Sequence, residues 1–291
     1  DISPNTFKFL DLEDMDLKGL KDMGVKTIRI DFGYGEEDIA RMTKNKYGIK
    51  VQLNASTITE EFFENLERYS PNYENIDALH NFYPRIGTGI SEECMINKNK
   101  LLKEKGIKPC AFVQSNNRKR SPLKDGLPTL EDHRNKEVRE AANHLFALGN
   151  TSVFIGDSLP SINELKDLSS LNPDVIELDI QLNVEDNAII RLLNEVYSAR
   201  TDEARDAIRA SESRLRLNGD IIEPYNTVEK KYGDITIDNK DYLRYMGELQ
   251  ILLTNQEKDK RTNVVGFILQ KDLYLLKYIK GGKKFHFNLN K

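Results

Sequence analysis

Polar residues at the ends of short apolar runs carry most of the chemical information in this sequence. Asp31 closes TIRID (27–31), Asn54 lies near the end of IKVQLNAS (49–56), and His80, Asn81, Tyr83 and Arg85 cluster at the end of IDALHNFYP (76–84). Gln114 and Ser115 close KPCAFVQS (108–115), and Asp157 closes SVFIGD (152–157). If these runs are parallel β-strands, their C-terminal ends form one polar mouth. Two carboxyls facing such a mouth could do acid–base chemistry, one donating a proton to a leaving group and the second acting as nucleophile, base or electrostatic partner. Asp31 and Asp157 are the expected catalytic pair, and Asp1, Glu177 and Asp179 stand in reserve near other predicted strand ends. The plain alternative for any one of them is a helix cap or an ion pair, and Arg29 on the same strand face as Asp31, itself expected to touch substrate, is a ready partner.

Other side chains suggest how a substrate would be held. Arg85 suits an anion, because a guanidinium gives a fixed, charge-assisted fork of donors. Ser115, with Arg118, could add a hydroxyl and a second charge, although NNRKR also suits a solvated loop. His80, Asn81 and Asn54 can bond sugar hydroxyls or an amide; a lone His on an apolar strand is also often a satisfied core residue. Tyr83 offers either a stacking face or filling for the mouth. Further along the chain, Arg200, Arg209, Arg214, Tyr245 and Glu248 gather, and Arg214 is expected to touch substrate; the alternative is an interface of Arg to carboxylate pairs. The four His and the two cysteines, Cys94 and Cys110, show no metal-ligand spacing, so neither a metal nor a cofactor is expected.

The elements that must position these residues follow from the alternation of short strands with longer helix-like segments. EEFFENLERY (60–69), SEECMINKNKLLKEKG (91–106) and EVREAANHLFALG (137–149) separate the strand-like runs, and this order predicts a parallel sheet. Thr59 and Ser91 suit helix N-caps, while Gly24, Gly106 and Gly149 suit left-handed helix ends. No GxGxxG follows a strand, so the pattern favours a (β/α)8 barrel over a dinucleotide-binding sheet. With VIELDIQL (175–182), six full strands are countable, and DISP at residues 1–4 looks like the tail of another. A barrel of eight is therefore expected to be N-terminally incomplete, its first βα unit missing.

Beyond residue 183 the pattern changes. IIRLLNEVYSARTDEARDAI (189–208) reads as helical, and DITIDN (234–239), GELQILL (247–253), TNVVGFIL (262–269) and KKFHFNL (283–289) read as strands punctuated by Gly233, Gly247, Gly266 and Gly281-Gly282. The expected division is an α/β domain over 1–183 and a β-rich domain over 184–291.

Composition excludes several classes of function. The 291 residues carry 31% charged and 38% hydrophobic residues with a formal net charge of -4, against the basic surface that nucleic-acid binding requires. No apolar run approaches a membrane span, and the opening residues lack a secretory signal's basic start and apolar stretch. A cytoplasmic protein that binds neither nucleic acid nor membrane is expected.

RIDFG (29–33), QLNAST (52–57), HNFYPRIGTGIS (80–91), GLPTLEDHR (126–134) and FIGD (154–157) resemble, in order, the signatures of the MupG-type 6-phospho-N-acetylmuramidases. RTDEAR (200–205), IRASESR (208–214), ITIDNKDYLRYMGELQI (235–251) and NVVGFI (263–268) extend the resemblance through the rest of the chain. It implies a TIM-barrel glycosidase followed by a small cyclophilin-like β-barrel domain. The substrate it implies is the phosphorylated amino-sugar disaccharide 6-phospho-MurNAc-GlcNAc, met during cell-wall sugar recovery. A phosphosugar lyase or isomerase, and a non-catalytic sugar-phosphate binder, are the alternatives on the same scaffold.

Overall fold

Five of the apolar runs pair into one parallel sheet. The computed structural model describes residues 1–30 and 32–289. Strands β1 (Thr27–Arg29), β2 (Lys50–Asn54), β3 (Ile76–Leu79), β4 (Pro109–Val113) and β5 (Ser152–Ile155) lie side by side in chain order, each pairing parallel. Ile2 makes a further parallel bridge to Ile30. A doubly wound sheet reverses its strand order at a switch point, and this sheet does not.

Helices α1 (Pro4–Phe9), α2 (Leu17–Asp22), α3 (Glu36–Thr43), α4 (Glu60–Glu67), α5 (Glu92–Glu104), α6 (Val138–Ala147) and α7 (Ile162–Ser170) complete this part of the chain. Their ends follow the local chemistry. The Thr59 side chain accepts from the Phe62 N–H and that of Ser91 from the Cys94 N–H, each satisfying a donor that the first helical turn leaves open. Gly106 and Gly149 take φ of 72° and 86° just past α5 and α6, where an L side chain would be strained.

The period of two along each strand sorts the side chains onto two faces. Ile28, Val51, Leu53, Ile76 and Ala78 pack with Ile39, Met42, Phe63, Leu66 and Leu102 from the helices into one buried core. The opposite face is polar at one level of β1 to β3 and aromatic at Phe112 and Phe154 of β4 and β5. Arg29, Gln52 and Asp77 stand in register across β1, β2 and β3, and Gln52 Nε2 donates to Asp77 Oδ1 at 2.8 Å.

Contacts divide the chain into two compact units, Asp1–Ser170 and Leu171–Lys291. The second holds β6 (Val175–Leu182), α8 (Asn187–Leu193), β7 (Tyr197–Ser198), β8 (Ala207–Arg209), β9 (Asp234–Asp238), β10 (Leu249–Leu252), β11 (Thr262–Ile268) and β12 (Lys284–Leu289). These strands form a mixed sheet in the order β7-β12-β6-β11-β9-β10-β8, in which only β12 and β6 are parallel neighbours. Gly266 sits at a register shift in β11, and a Cβ there would lie 2.6 Å from the Gln181 carbonyl oxygen.

Two sequence expectations need correction. VIELDIQL is not a strand of the first sheet: it is β6, held between β12 and β11, so the division falls before it and not after residue 183. The helix expected over 189–208 ends at Leu193, and the chain then turns into β7. Tyr197 is buried there, tilted against Phe285, with its hydroxyl donating to the Leu192 carbonyl at 2.9 Å. Its aromatic burial outweighs the helical propensity of its neighbours.

Candidate active site

The polar face of the first unit converges at the strand ends. Arg29 Nη2 donates to Asn81 Oδ1 at 2.5 Å and to the Leu79 carbonyl at 3.5 Å, and Nη1 meets Asp1 Oδ1 at 3.2 Å. One guanidinium thus joins the segment before Ile2, strand β1 and the loop after β3. Asn54 closes β2 by accepting from the Ser56 N–H at 3.1 Å, which leaves its half-buried side chain at the same edge. Asp31 lies outside the described residues.

His80 has a different role from the substrate contact expected of it. It is fully buried, on the helix-packed face, where Nε2 is 3.0 Å from Asn99 Oδ1 and Nδ1 is 3.1 Å from Ser56 Oγ. Asn99 Nδ2 donates to the Leu148 carbonyl, so its Oδ1 faces the ring and fixes the Nε2–H tautomer. Ser56 Oγ then donates to Nδ1 and accepts from the Asn81 N–H at 2.9 Å. Burial, only partly offset by the bond to Asn99, pushes the imidazole down to about 4, with the Lys98 charge acting in the same sense. His80 is a neutral positioning residue beneath Asn81.

Ser115 and Asp157 also turn inward. Ser115, expected to contact phosphate, is fully buried, its Oγ 2.9 Å from Glu164 Oε2 and 3.1 Å from Oε1. Glu164 accepts in addition from the N–H groups of Asn116 and Ser161. Burial raises its pKa, but these donors outweigh burial and hold the carboxyl below its ordinary value. Asp157 is buried and accepts from three N–H groups: Ser115 at 2.9 Å and Leu127 at 3.2 Å on Oδ2, and Arg120 at 2.9 Å on Oδ1. These bonds tie the loops after β4 to the end of β5. All three partners are donors, and none would receive a proton from a carboxylic acid.

Arg85 is exposed, and its guanidinium has no hydrogen bond or ion pair among the described residues. Its backbone is held firmly. The Arg85 carbonyl accepts from Thr88 Oγ1 at 2.6 Å and from Arg134 Nη2 at 3.3 Å, and Glu131 accepts from the N–H groups of Gly87 and Gly89. The ion pair to Arg134 and those two N–H groups hold Glu131 at about 2 against the opposing effect of burial. Tyr83, half-buried, is anchored through its N–H to the Pro128 carbonyl and its own carbonyl to Arg134 Nη2.

Residues 1–170 match the N-terminal region of the 6-phospho-N-acetylmuramidases, and residues 175–288 match the C-terminal region. This chain belongs to the 6-phospho-N-acetylmuramidase family. The family's two regions meet within a few residues of the division between the two units. A crystal structure of an uncharacterized B. cereus protein is similar over 94% of this chain and 80% of its own, at 32% identity and a TM-score of 0.82. A conserved Enterococcus faecalis protein of unknown function is 32% identical over 100% of this chain and 79% of its own, with a TM-score of 0.64. No curated protein matches the chain.

Within this 6-phospho-N-acetylmuramidase family member, the structure brings Arg29, Asn81 and Asn54 to one polar edge and separates His80, Ser115 and Asp157 from it. The reserves Glu177 and Asp179 belong to β6 in the other unit, where Glu177 pairs with His286 at 2.9 Å and Asp179 with Lys271 at 2.6 Å. Arg214 also lies in the second unit, with Nε 3.2 Å from Glu248 Oε2. Sequence reasoning missed Asp77, Gln52, Glu131, Arg134 and Glu164. For Asp77 and Gln52 the signal was present: each shares strand parity with a residue already singled out, Asn81 and Asn54 respectively. Among the described residues, no three His, Cys, Asp or Glu side chains could hold a metal ion, and no helix is long and apolar enough to cross a membrane.

Proposed function

We propose that this chain hydrolyses the glycosidic bond of 6-phospho-MurNAc-GlcNAc during cytoplasmic recovery of cell-wall sugars. The parallel unit is read as part of a (β/α)8 TIM barrel and the second unit as a cyclophilin-like β-barrel. The observation that carries the reading is the Asp1, Arg29 and Asn81 cluster at the strand ends, in a chain whose family is described by this activity. Asp1 and Asp31 are assigned the two carboxyl roles, one protonating the leaving oxygen and the other acting at the anomeric carbon. Arg29 orients Asp1 through their ion pair. Asn81, with its N–H fixed by Ser56, bonds a substrate hydroxyl or amide.

Asp157, first paired with Asp31, is reassigned as a positioning residue because backbone donors already occupy it. Arg85 is assigned as the phosphate ligand: its backbone is fixed by Thr88 and Arg134, and its guanidinium carries no competing anion that a phosphate would have to displace. The test compares hydrolysis of phosphorylated and unphosphorylated MurNAc-GlcNAc by the wild type and by Arg85→Ala. The reading expects preference for the phosphorylated disaccharide, largely lost in the variant. No turnover of either disaccharide, or equal losses on both, would overturn it.

A further inference from the structure

In the second unit, a polar sheet face is buried where such a face is normally solvated. DITID and ELQIL alternate, and Ile235, Ile237, Leu249 and Ile251 fill the core side with no more than 0% exposure. The other side presents Thr236, Asp238, Glu248 and Gln250, joined by Arg209 of β8 opposite Gln250 and Thr262 of β11 opposite Asp238. Thr236, Asp238, Glu248 and Thr262 are all buried, and they border a cavity of about 340 Å³. That volume lies in the range of small-molecule sites.

The walls are as informative as the floor. Arg200, Arg214 and Lys230 join Arg209 around the cavity, and Tyr242 and Tyr245 line it as well. Glu248 is already committed, with Arg214 at 3.2 Å and Arg200 at 3.9 Å, and Asp259 is held by Arg261. Asp238 accepts from Thr262 Oγ1 at 3.1 Å, and burial, opposed by that bond and reinforced by Glu248 and Asp259, pushes its carboxyl up to about 7. Arg200 and Arg209 share Asp202, so the four cations of the wall, Arg200, Arg209, Arg214 and Lys230, face two committed carboxylates, Asp202 and Glu248. Arg209 Nε is buried with no hydrogen-bond partner among the described residues, while its Nη2 is occupied by Asp202 at 2.7 Å. Nε is shielded from the cavity, so Nη1 is the terminal nitrogen that Asp202 leaves to a ligand.

We propose that this cavity is a binding site, built from the second unit alone, for an anionic sugar: a pyranose carrying a carboxylate or a phosphate. Arg209 takes the oxyanion through Nη1. Gln250, Thr236 and the carboxyls of the floor bond ring hydroxyls, and a tyrosine face covers the apolar side of the ring. The proposal goes beyond the hydrolytic site and does not depend on it.

Calorimetric titration of the full chain with N-acetylmuramic acid, its 6-phosphate, N-acetylglucosamine and inorganic phosphate tests it. Because these sugars also resemble the proposed substrate, each titration is repeated on Arg29→Met and on Arg85→Ala, which impair the first unit's cluster and its assigned phosphate ligand. Binding of at least one acidic sugar should survive Arg29→Met and Arg85→Ala and weaken at least 10-fold in Arg209→Met, with neutral N-acetylglucosamine much weaker; which acidic sugar binds distinguishes carboxylate from phosphate. Gln250→Leu, at the sheet position facing Arg209, should weaken it too and gives the readout if Arg209→Met does not fold. The proposal is overturned if no acidic sugar binds, if binding disappears with Arg29→Met or Arg85→Ala but not with the cavity variants, or if inorganic phosphate binds as tightly as the sugars.

Discussion

Arg29 and Asn81 are joined by a 2.5 Å hydrogen bond that ties the end of β1 to the loop after β3, and the same guanidinium also reaches Asp1. A lysine could keep the charge but could not span both partners with a planar fork. Arg29→Lys should therefore lower kcat/KM by about 100-fold, the equivalent of roughly 2 to 3 kcal/mol for one charge-assisted hydrogen bond. Thermal unfolding should also shift, by the equivalent of about 1 kcal/mol, since the Arg29 side chain is largely buried and its bonds to Asn81 and the Leu79 carbonyl are disturbed. Activity assays and a melting curve on the same preparation check both halves.

His80 gives a pH dependence with a definite sign. Its folded value of about 4 lies below the ordinary 6.5, so the stability it contributes is present above pH 6.5 and is lost as pH falls toward 4. The difference in stability between wild type and His80→Phe should be largest near pH 7 and shrink by up to about 3 kcal/mol by pH 4. Denaturant unfolding across that range measures it. Imidazole nitrogen shifts at pH 5.5 should report a neutral ring protonated on Nε2; a charged ring there would refute the assignment.

Much of this was legible in the residues. Strand parity alone separates the polar edge from the core: His80 follows Ala78 and Ile76 in phase, Ser115 follows Val113 and Ala111, and Asp157 follows Ile155 and Val153. The first two sets are largely buried, and the polar member of each inherits that face. A strand-end position suggested chemistry for these three, but the face they share decides otherwise. VIELDIQL could not be assigned the same way. Its apolar residues suit any central strand, and the partners that claim it, β11 and β12, lie about 85 to 110 residues later in the chain, beyond the reach of local patterning. The cavity of the second unit was half visible, since Arg200, Arg209, Arg214, Tyr245 and Glu248 stood out as a group, but alternation alone predicts a solvated face, and only the burial of Asp238 and Thr262 shows a floor.

Asp157 offers the sharpest separation between structural and catalytic roles. Its two oxygens accept three N–H groups, two on Oδ2 and one on Oδ1, and those bonds anchor Ser115, Arg120 and Leu127. In Asp157→Asn the amide oxygen is best placed where Oδ2 stood, so the Ser115 and Leu127 bonds are kept. The amide nitrogen must then face the Arg120 N–H, donor against donor, and the charge that strengthened the other two bonds is gone. The expected cost is about 3 kcal/mol of stability, with turnover falling only as far as the displaced loop disturbs the mouth. A catalytic carboxyl would behave in the opposite way, because the Asn variant would fold with nearly unchanged stability while turnover fell by orders of magnitude. Denaturant unfolding and steady-state kinetics on the one variant distinguish the two, and a stable but inactive Asp157→Asn would return Asp157 to the chemistry.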